Sequence, residues 1–263
     1  MTETSQKDTA QQAQDLAGKG AVITGSSRGI GAATAQLIAA RGAGVVINYR
    51  TKAPRANKVV KGIEEAGGRA VAVGADLTEA EGAKALVDAA VESFGSLDLL
   101  ILNASGGMES DRGEDYALKL NRDAQVQMVR TAIEVMPAGS QIVFVTSHQA
   151  HFINQTATMD AYEPVARSKR AGEDALRAMV PELEEKGITL TVVSGDMIEG
   201  TITATLLDRA QPGAIEARRE AAGRLYSVEE FAAEIAGLVN REDIGQEHTE
   251  LVGGAEDFLA ANT

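Results

Sequence analysis

The chain has no cysteine and no tryptophan, and aromatic residues make up 3% of its 263 positions. Without cysteine there are no disulfides, no thiolate nucleophile and no cysteine-ligated metal. With so few rings, the core has to be assembled from Ala, Val, Leu and Ile, which suits a parallel sheet wrapped by helices. No apolar run approaches the roughly 20 residues that a membrane span needs, and no signal-peptide pattern opens the chain. Positive charge is in deficit: 25 Lys and Arg stand against 38 Asp and Glu, a net charge of −13. That balance disfavours nucleic acid or an anionic membrane surface as the main partner. A cytoplasmic protein acting on a small molecule is the expectation.

What is present is a repeating alternation. Apolar, β-branched runs occur at 21–24, 45–49, 70–73, 97–102, 142–146, 188–193 and 250–252. Between them, helical spacing appears at 30–40, 55–66, 80–94, 116–135, 165–183 and 228–239. Short buried strands alternating with amphipathic helices predict an α/β fold, a single doubly wound Rossmann domain of about seven mainly parallel strands with helices on both faces. Residues 1–16 are polar and read as a flexible tail, or as a helix against a partner subunit, with the domain spanning 17–263. The long irregular region 195–224 reads either as a substrate lid or as an ordinary surface excursion.

One stretch carries chemistry. Thr24-Gly25-Ser26-Ser27-Arg28-Gly29-Ile30-Gly31 joins the first strand to the first helix. Such a turn presents backbone N–H groups and a positive helix end to a phosphate. Gly25 allows the tight turn, Gly29 a close approach of a pyrophosphate, and Gly31 close packing of helix on strand. A purely structural glycine turn would read the same way. After the second strand, an NAD site usually carries an acidic residue for the ribose 2′-OH. Here the chain reads Asn48-Tyr49-Arg50-Thr51-Lys52. Arg28 and Arg50 suit a 2′-phosphate, so the reading favours NADP(H) over NAD(H).

From about Leu16 to Gly254 the sequence resembles the short-chain dehydrogenase/reductase family. Thr24 to Gly31 is similar to the family's TGxxxGIG cofactor turn, so Thr24, Gly25, Ser27, Arg28, Gly29, Ile30 and Gly31 are expected at the cofactor. Beside Tyr49 and Arg50 after the second strand, the resemblance adds Asp76 and Leu77, with the Asp against the adenine, and Asn103, Ala104 and Ser105 in place of the family's NNAG. It implies an active-site Asn at Asn121, a catalytic Ser at Ser147 and the SKxA lysine at Lys169, with Gly195 and Thr201 in the cofactor loop after the sixth strand. The implied function is NADP(H)-dependent interconversion of a carbonyl and a secondary alcohol by hydride transfer. In that chemistry Lys169 bonds the nicotinamide ribose and lowers the pKa of a neighbouring phenol, Ser147 holds the substrate oxygen, and Asn121 anchors a water.

The departure from the family lies one helical turn before Lys169. The family places its catalytic Tyr there; this chain has Val165, and the nearest Tyr is Tyr162. Pro164 favours a helix start and pushes Glu163 toward an extended conformation, which leaves Tyr162 outside the helix. Tyr162 is therefore the candidate proton donor, folding back over the first turn; as a packing residue at the start of the helix it would be bland. His148 and His151 are alternative donors, a metal pair or ordinary loop residues. A non-catalytic NADP(H)-binding sensor or scaffold subunit is the alternative function. The helices at 116–135 and 165–183, with Val126, Val129, Ala132, Ala175 and Met179, predict a homo-dimer or homo-tetramer, or else simply cover the sheet.

Overall fold

The computed structural model describes residues 14–108 and 115–260. Strands β1 (Gly20–Ile23), β2 (Gly44–Tyr49) and β3 (Arg69–Gly74) alternate with helices α1 (Gly29–Ala40) and α2 (Ala53–Glu65). Helix α3 (Ala80–Phe94) then returns the chain to β4 (Leu99–Leu102). Helix α4 (Tyr116–Leu118), a π-helical turn (Lys119–Asp123) and α5 (Ala124–Ala132) lead to β5 (Gln141–Ser147). Then come α6 (His148–His151), α7 (Glu163–Arg177), α8 (Val180–Glu185) and β6 (Thr189–Gly195). Helices α9 (Ile202–Ala210), α10 (Ala214–Ala222) and α11 (Val228–Gly237) precede β7 (Thr249–Val252) and α12 (Glu256–Ala260).

All seven strands pair in parallel in the order β3-β2-β1-β4-β5-β6-β7. The order reverses between β1 and β4, which opens a crevice at the carboxyl ends of the strands. Alternate strand residues serve opposite faces, as a period of two requires. Val22, Val46, Leu100 and Ile142 meet Leu86, Met128 and Leu183 on one side. Their neighbours Ile23, Ile47, Ile101 and Val143 meet Ile38, Val59, Phe231 and Ile235 on the other. A third apolar cluster, including Tyr162, Val165, Met197, Leu207 and Leu225, sits apart from both.

Three expectations need correction. The tail does not run to residue 16: Leu16 is 1% exposed, and Asp15 accepts from Arg41 Nε at 2.8 Å. Residues 1–13 lie outside the described residues. The helix expected over 165–183 is two helices, because Pro181 removes an N–H donor and instead occupies the first turn of α8. The irregular region after β6 contains α9 and α10. Of the five residues singled out for subunit contact, Val129, Ala132 and Met179 are buried in the core beneath the helices.

Candidate active site

The glycine turn is fixed from both sides. Thr24 is fully buried, and its hydroxyl accepts from the N–H groups of Asn103 and Ala104, each at 3.0 Å. Thr24 thus pins the end of β4 to the glycine turn. Gly25 and Gly29 take φ of +64° and +54°, which favours glycine at both. A Cβ at Gly31 would lie 2.6 Å from Asn103 Nδ2 and 2.8 Å from the Gly25 carbonyl, so only glycine lets α1 come this close. Helix α1 has no side-chain cap and no acidic residue in its first turn, which leaves its N-terminal N–H groups for an anion.

Asn48 was not singled out as a site residue by the sequence. Its Oδ1 accepts from Gly25 N at 2.9 Å, its Nδ2 donates to Ala75 O at 3.1 Å, and its N–H donates to Ser26 Oγ at 2.9 Å. One buried amide therefore ties β2 to the glycine turn and to the segment after β3.

These elements border a cavity of about 720 Å³. Gly25, Ser27, Arg28, Gly29, Ile30 and Gly31 line it, as do Tyr49, Arg50, Asp76, Leu77, Asn103, Ala104, Ser105, Gly195 and Thr201. Lys52 and Arg55, which the sequence reading left out, add positive charge beside β2. Arg50 donates to the Tyr116 hydroxyl. Asp76 Oδ1 accepts from the Thr78 N–H at 3.0 Å and hydroxyl at 2.7 Å. Thr201 lines the cavity, yet its hydroxyl accepts from Ala204 N at 3.2 Å and caps α9.

Ser147, Tyr162 and Lys169 converge on the same cavity. Tyr162 sits at the N-cap of α7, outside the regular helix, and its hydroxyl lies 3.2 Å from Ser147 Oγ. Burial raises the Tyr162 phenol pKa, and the Ser147 contact opposes that rise. Lys169 is 8% exposed; burial lowers its ammonium from 10.5 to about 8, against the pull of Glu173 one turn along. Val165 packs in the apolar cluster around Tyr162. Gln149, Met197, Ile198, Ile202 and Leu207 complete a largely apolar wall beyond Ser147.

Asn121, expected to anchor a water, lies behind the cavity lining. Its Nδ2 donates to Gly106 O at 2.8 Å and Ser168 Oγ at 2.9 Å, while Oδ1 accepts from Gly106 N at 3.2 Å. It joins the π turn to α7 and to the segment after β4. His148 also turns away: its ring is fully buried, with Nδ1 2.8 Å from Ser194 Oγ and an edge contact to Phe258. His151 Nδ1 lies 2.8 Å from Glu173 Oε1. The two histidines therefore serve different partners.

The family model described as short chain dehydrogenase matches residues 19–211, well over half of the chain. Versicolorin reductase 1 of Dothistroma septosporum is 32% identical over 204 residues, covering 75% of this chain and 76% of that protein. A probable tetrahydroxynaphthalene reductase of Zymoseptoria tritici is 35% identical over 185 residues, 68% of each chain. Among solved structures, a short-chain dehydrogenase from Burkholderia cenocepacia J2315 in complex with NADP superposes with a TM-score of 0.78 at 30% identity. That match covers 94% of this chain and 99% of the other. The angucycline C-6 ketoreductase LanV with bound NADP gives 0.76 at 29% identity, covering 92% and 96%. No helix among the described residues is long and apolar enough to cross a membrane. With the fold, the glycine turn and these matches in agreement, the chain belongs to the short-chain dehydrogenase/reductase family of oxidoreductases.

Proposed function

We propose that the protein is an NADP(H)-dependent reductase of ketones, also able to run the reverse oxidation, with Tyr162 as the proton donor. The observation that carries the reading is the convergence of Ser147, Tyr162 and Lys169 on one cavity that also holds the glycine turn. The residues fit a dinucleotide phosphate: an uncapped helix start, glycines with no Cβ in the way, Arg28 within the glycine turn, and Arg50, Lys52 and Arg55 after β2. Bound there, NADPH supplies the hydride. Ser147 donates to the carbonyl oxygen, the Tyr162 hydroxyl supplies the proton as the alkoxide develops, and Lys169 holds the ribose while its charge favours phenolate. Asn121 is a positioning residue that sets α7 against the π turn. The apolar wall of Met197, Ile198, Ile202 and Leu207 receives the body of the ketone. A dinucleotide-binding protein without turnover is the second reading, supported by Val165 at the family's Tyr position.

The charge pattern gives a direct test of cofactor choice. A charge-assisted contact to a 2′-phosphate contributes about 1.5–3 kcal/mol, roughly 10- to 100-fold in affinity. NADPH is expected to bind that much more tightly than NADH when both are titrated by nicotinamide fluorescence. Arg50→Ala should weaken NADPH and leave NADH nearly unchanged. Equal affinities in the wild type would remove the NADP(H) assignment.

A further inference from the structure

A proton donor and a lysine on one helix are held in register by that helix. Here they are not: Tyr162 lies at the N-cap of α7, and Lys169 is two turns inside it. The Ser147 side rests on α6, a single turn of four residues, which is too short to hold itself in place. Something else has to fix these groups against one another.

Glu173 provides the link. Its side chain is 0% exposed, and it sits one turn beyond Lys169. Its two carboxylate oxygens lie 2.8 Å and 3.0 Å from His151 Nδ1, and Oε1 also accepts from Arg177 Nε at 3.0 Å. Arg170 Nη1 stands 3.7 Å from the same oxygen and donates to the His151 carbonyl at 2.9 Å. Arg177 continues to β7 through Thr249 Oγ1 at 2.7 Å. At its other end α6 is capped by Ser147, whose Oγ accepts from Ala150 N at 3.3 Å. A continuous path therefore runs from α7 through Glu173 and His151 to α6, Ser147 and the Tyr162 hydroxyl.

We propose that Glu173 is a positioning residue of the reaction centre, tying the turn after Ser147 to the helix of Lys169 through His151. The proposal rests on the reading of Ser147, Tyr162 and Lys169 as that centre. A fully buried carboxylate contributes little net stability beyond what an apolar substitute would give. Its value lies in fixing geometry, and a displacement of about 1 Å at a reaction centre can cost 10²-fold in rate. Despite burial, His151, Arg170 and Arg177 hold the Glu173 carboxyl below its usual range, so it is ionised at neutral pH. The charge also acts on Lys169, raising its ammonium against the effect of burial. The cavity also holds the carboxylates of Asp76 and Asp196, the phenols of Tyr49, Tyr116 and Tyr162 and the cations of Arg28, Arg50, Lys52 and Arg55, but Glu173 is the charge that acts on Lys169.

The test compares Glu173→Gln, Glu173→Asp and His151→Gln in the full chain. Glu173→Gln is expected to lower kcat about 10- to 100-fold with the NADPH dissociation constant within about twofold. It should also move the alkaline limb of the kcat profile to lower pH, because Lys169 loses the charge that keeps it protonated. His151→Gln should lower kcat without moving that limb, since the carboxylate stays, and Glu173→Asp should restore part of the rate and the limb. Trace acetylation of Lys169, read by mass spectrometry across pH, gives the same titration without turnover. A lower Lys169 midpoint in Glu173→Gln supports the link even if the wild type reduces no ketone, an outcome that would sink only the proposed function. A folded Glu173→Gln with unchanged kcat, limb and Lys169 midpoint would overturn the inference. If Glu173→Gln does not fold, an unchanged kcat in His151→Gln overturns it equally.

Discussion

Tyr162→Phe is expected to bind NADPH like the wild type and to turn over about 10²- to 10⁴-fold more slowly, the range for a removed general acid. The substitution keeps the ring, and with it the packing against Ile153, Val165 and Met197 in the cluster above the strands. What disappears is one hydroxyl and its 3.2 Å contact to Ser147, worth about 1 kcal/mol of stability. Neither histidine offered as an alternative donor lines the cavity. His148 is turned to Ser194 and held neutral, its pKa lowered to about 4. Val165 is 4% exposed, and even a Cβ at Gly107 would approach it to 3.1 Å. A tyrosine at 165 has no room there, so Tyr162→Phe combined with Val165→Tyr should not recover activity. Steady-state kcat beside an NADPH titration checks both. Full activity in Tyr162→Phe would remove Tyr162 from the chemistry.

Acid should destabilise the protein well before its carboxylates titrate. His148 is buried, and burial is the main cause that takes its pKa from 6.5 to about 4, with Arg218 adding to the drop and Asp196 opposing it. Between those two values the unfolded chain binds a proton that the folded chain excludes. Stability therefore falls as pH falls from about 6.5 to 4, by roughly 3 kcal/mol, and His148 takes no more below that. Glu173 acts lower: its carboxyl is held below the usual range, so its contribution is present above the unfolded value and is lost as pH falls through the folded one. Urea unfolding at a series of pH values should show the first loss in the wild type. His148→Gln, which keeps a partner for Ser194, should flatten it; an unchanged slope would show that other groups carry the acid limb.

Much of the fold was legible because the strands are short apolar runs and because Gly42, Gly67, Gly95 and Gly187 mark turns with positive φ between elements. Tyr162 was legible as lying outside α7 because Pro164 is favoured in the first turn of a helix; the extended conformation expected for Glu163 is not adopted, since Glu163 is the first residue of α7. Pro181 carried the same kind of signal, yet the helical spacing around it hid the break between α7 and α8. Helices α9 and α10 follow a Thr201 cap and Gly213, signals masked by the small, weakly patterned residues that follow. Asn48 and Glu173 were not legible. Asn48 meets Gly25 only because β2 lies beside β1, and Glu173 reads as an ordinary helix charge until His151 is brought over it. Asn121 was found by resemblance and Thr24 within the glycine turn; what neither route showed is that their side chains bond the ends of β4, the π turn and α7 together.

The most direct test of the account is steady-state oxidation of NADPH by the wild-type protein with a panel of apolar ketones. The account predicts ketone-dependent loss of the reduced nicotinamide absorbance, with the matching alcohol as product. Tight NADPH binding with no ketone-dependent oxidation across the panel would contradict it and leave the dinucleotide-binding sensor as the reading.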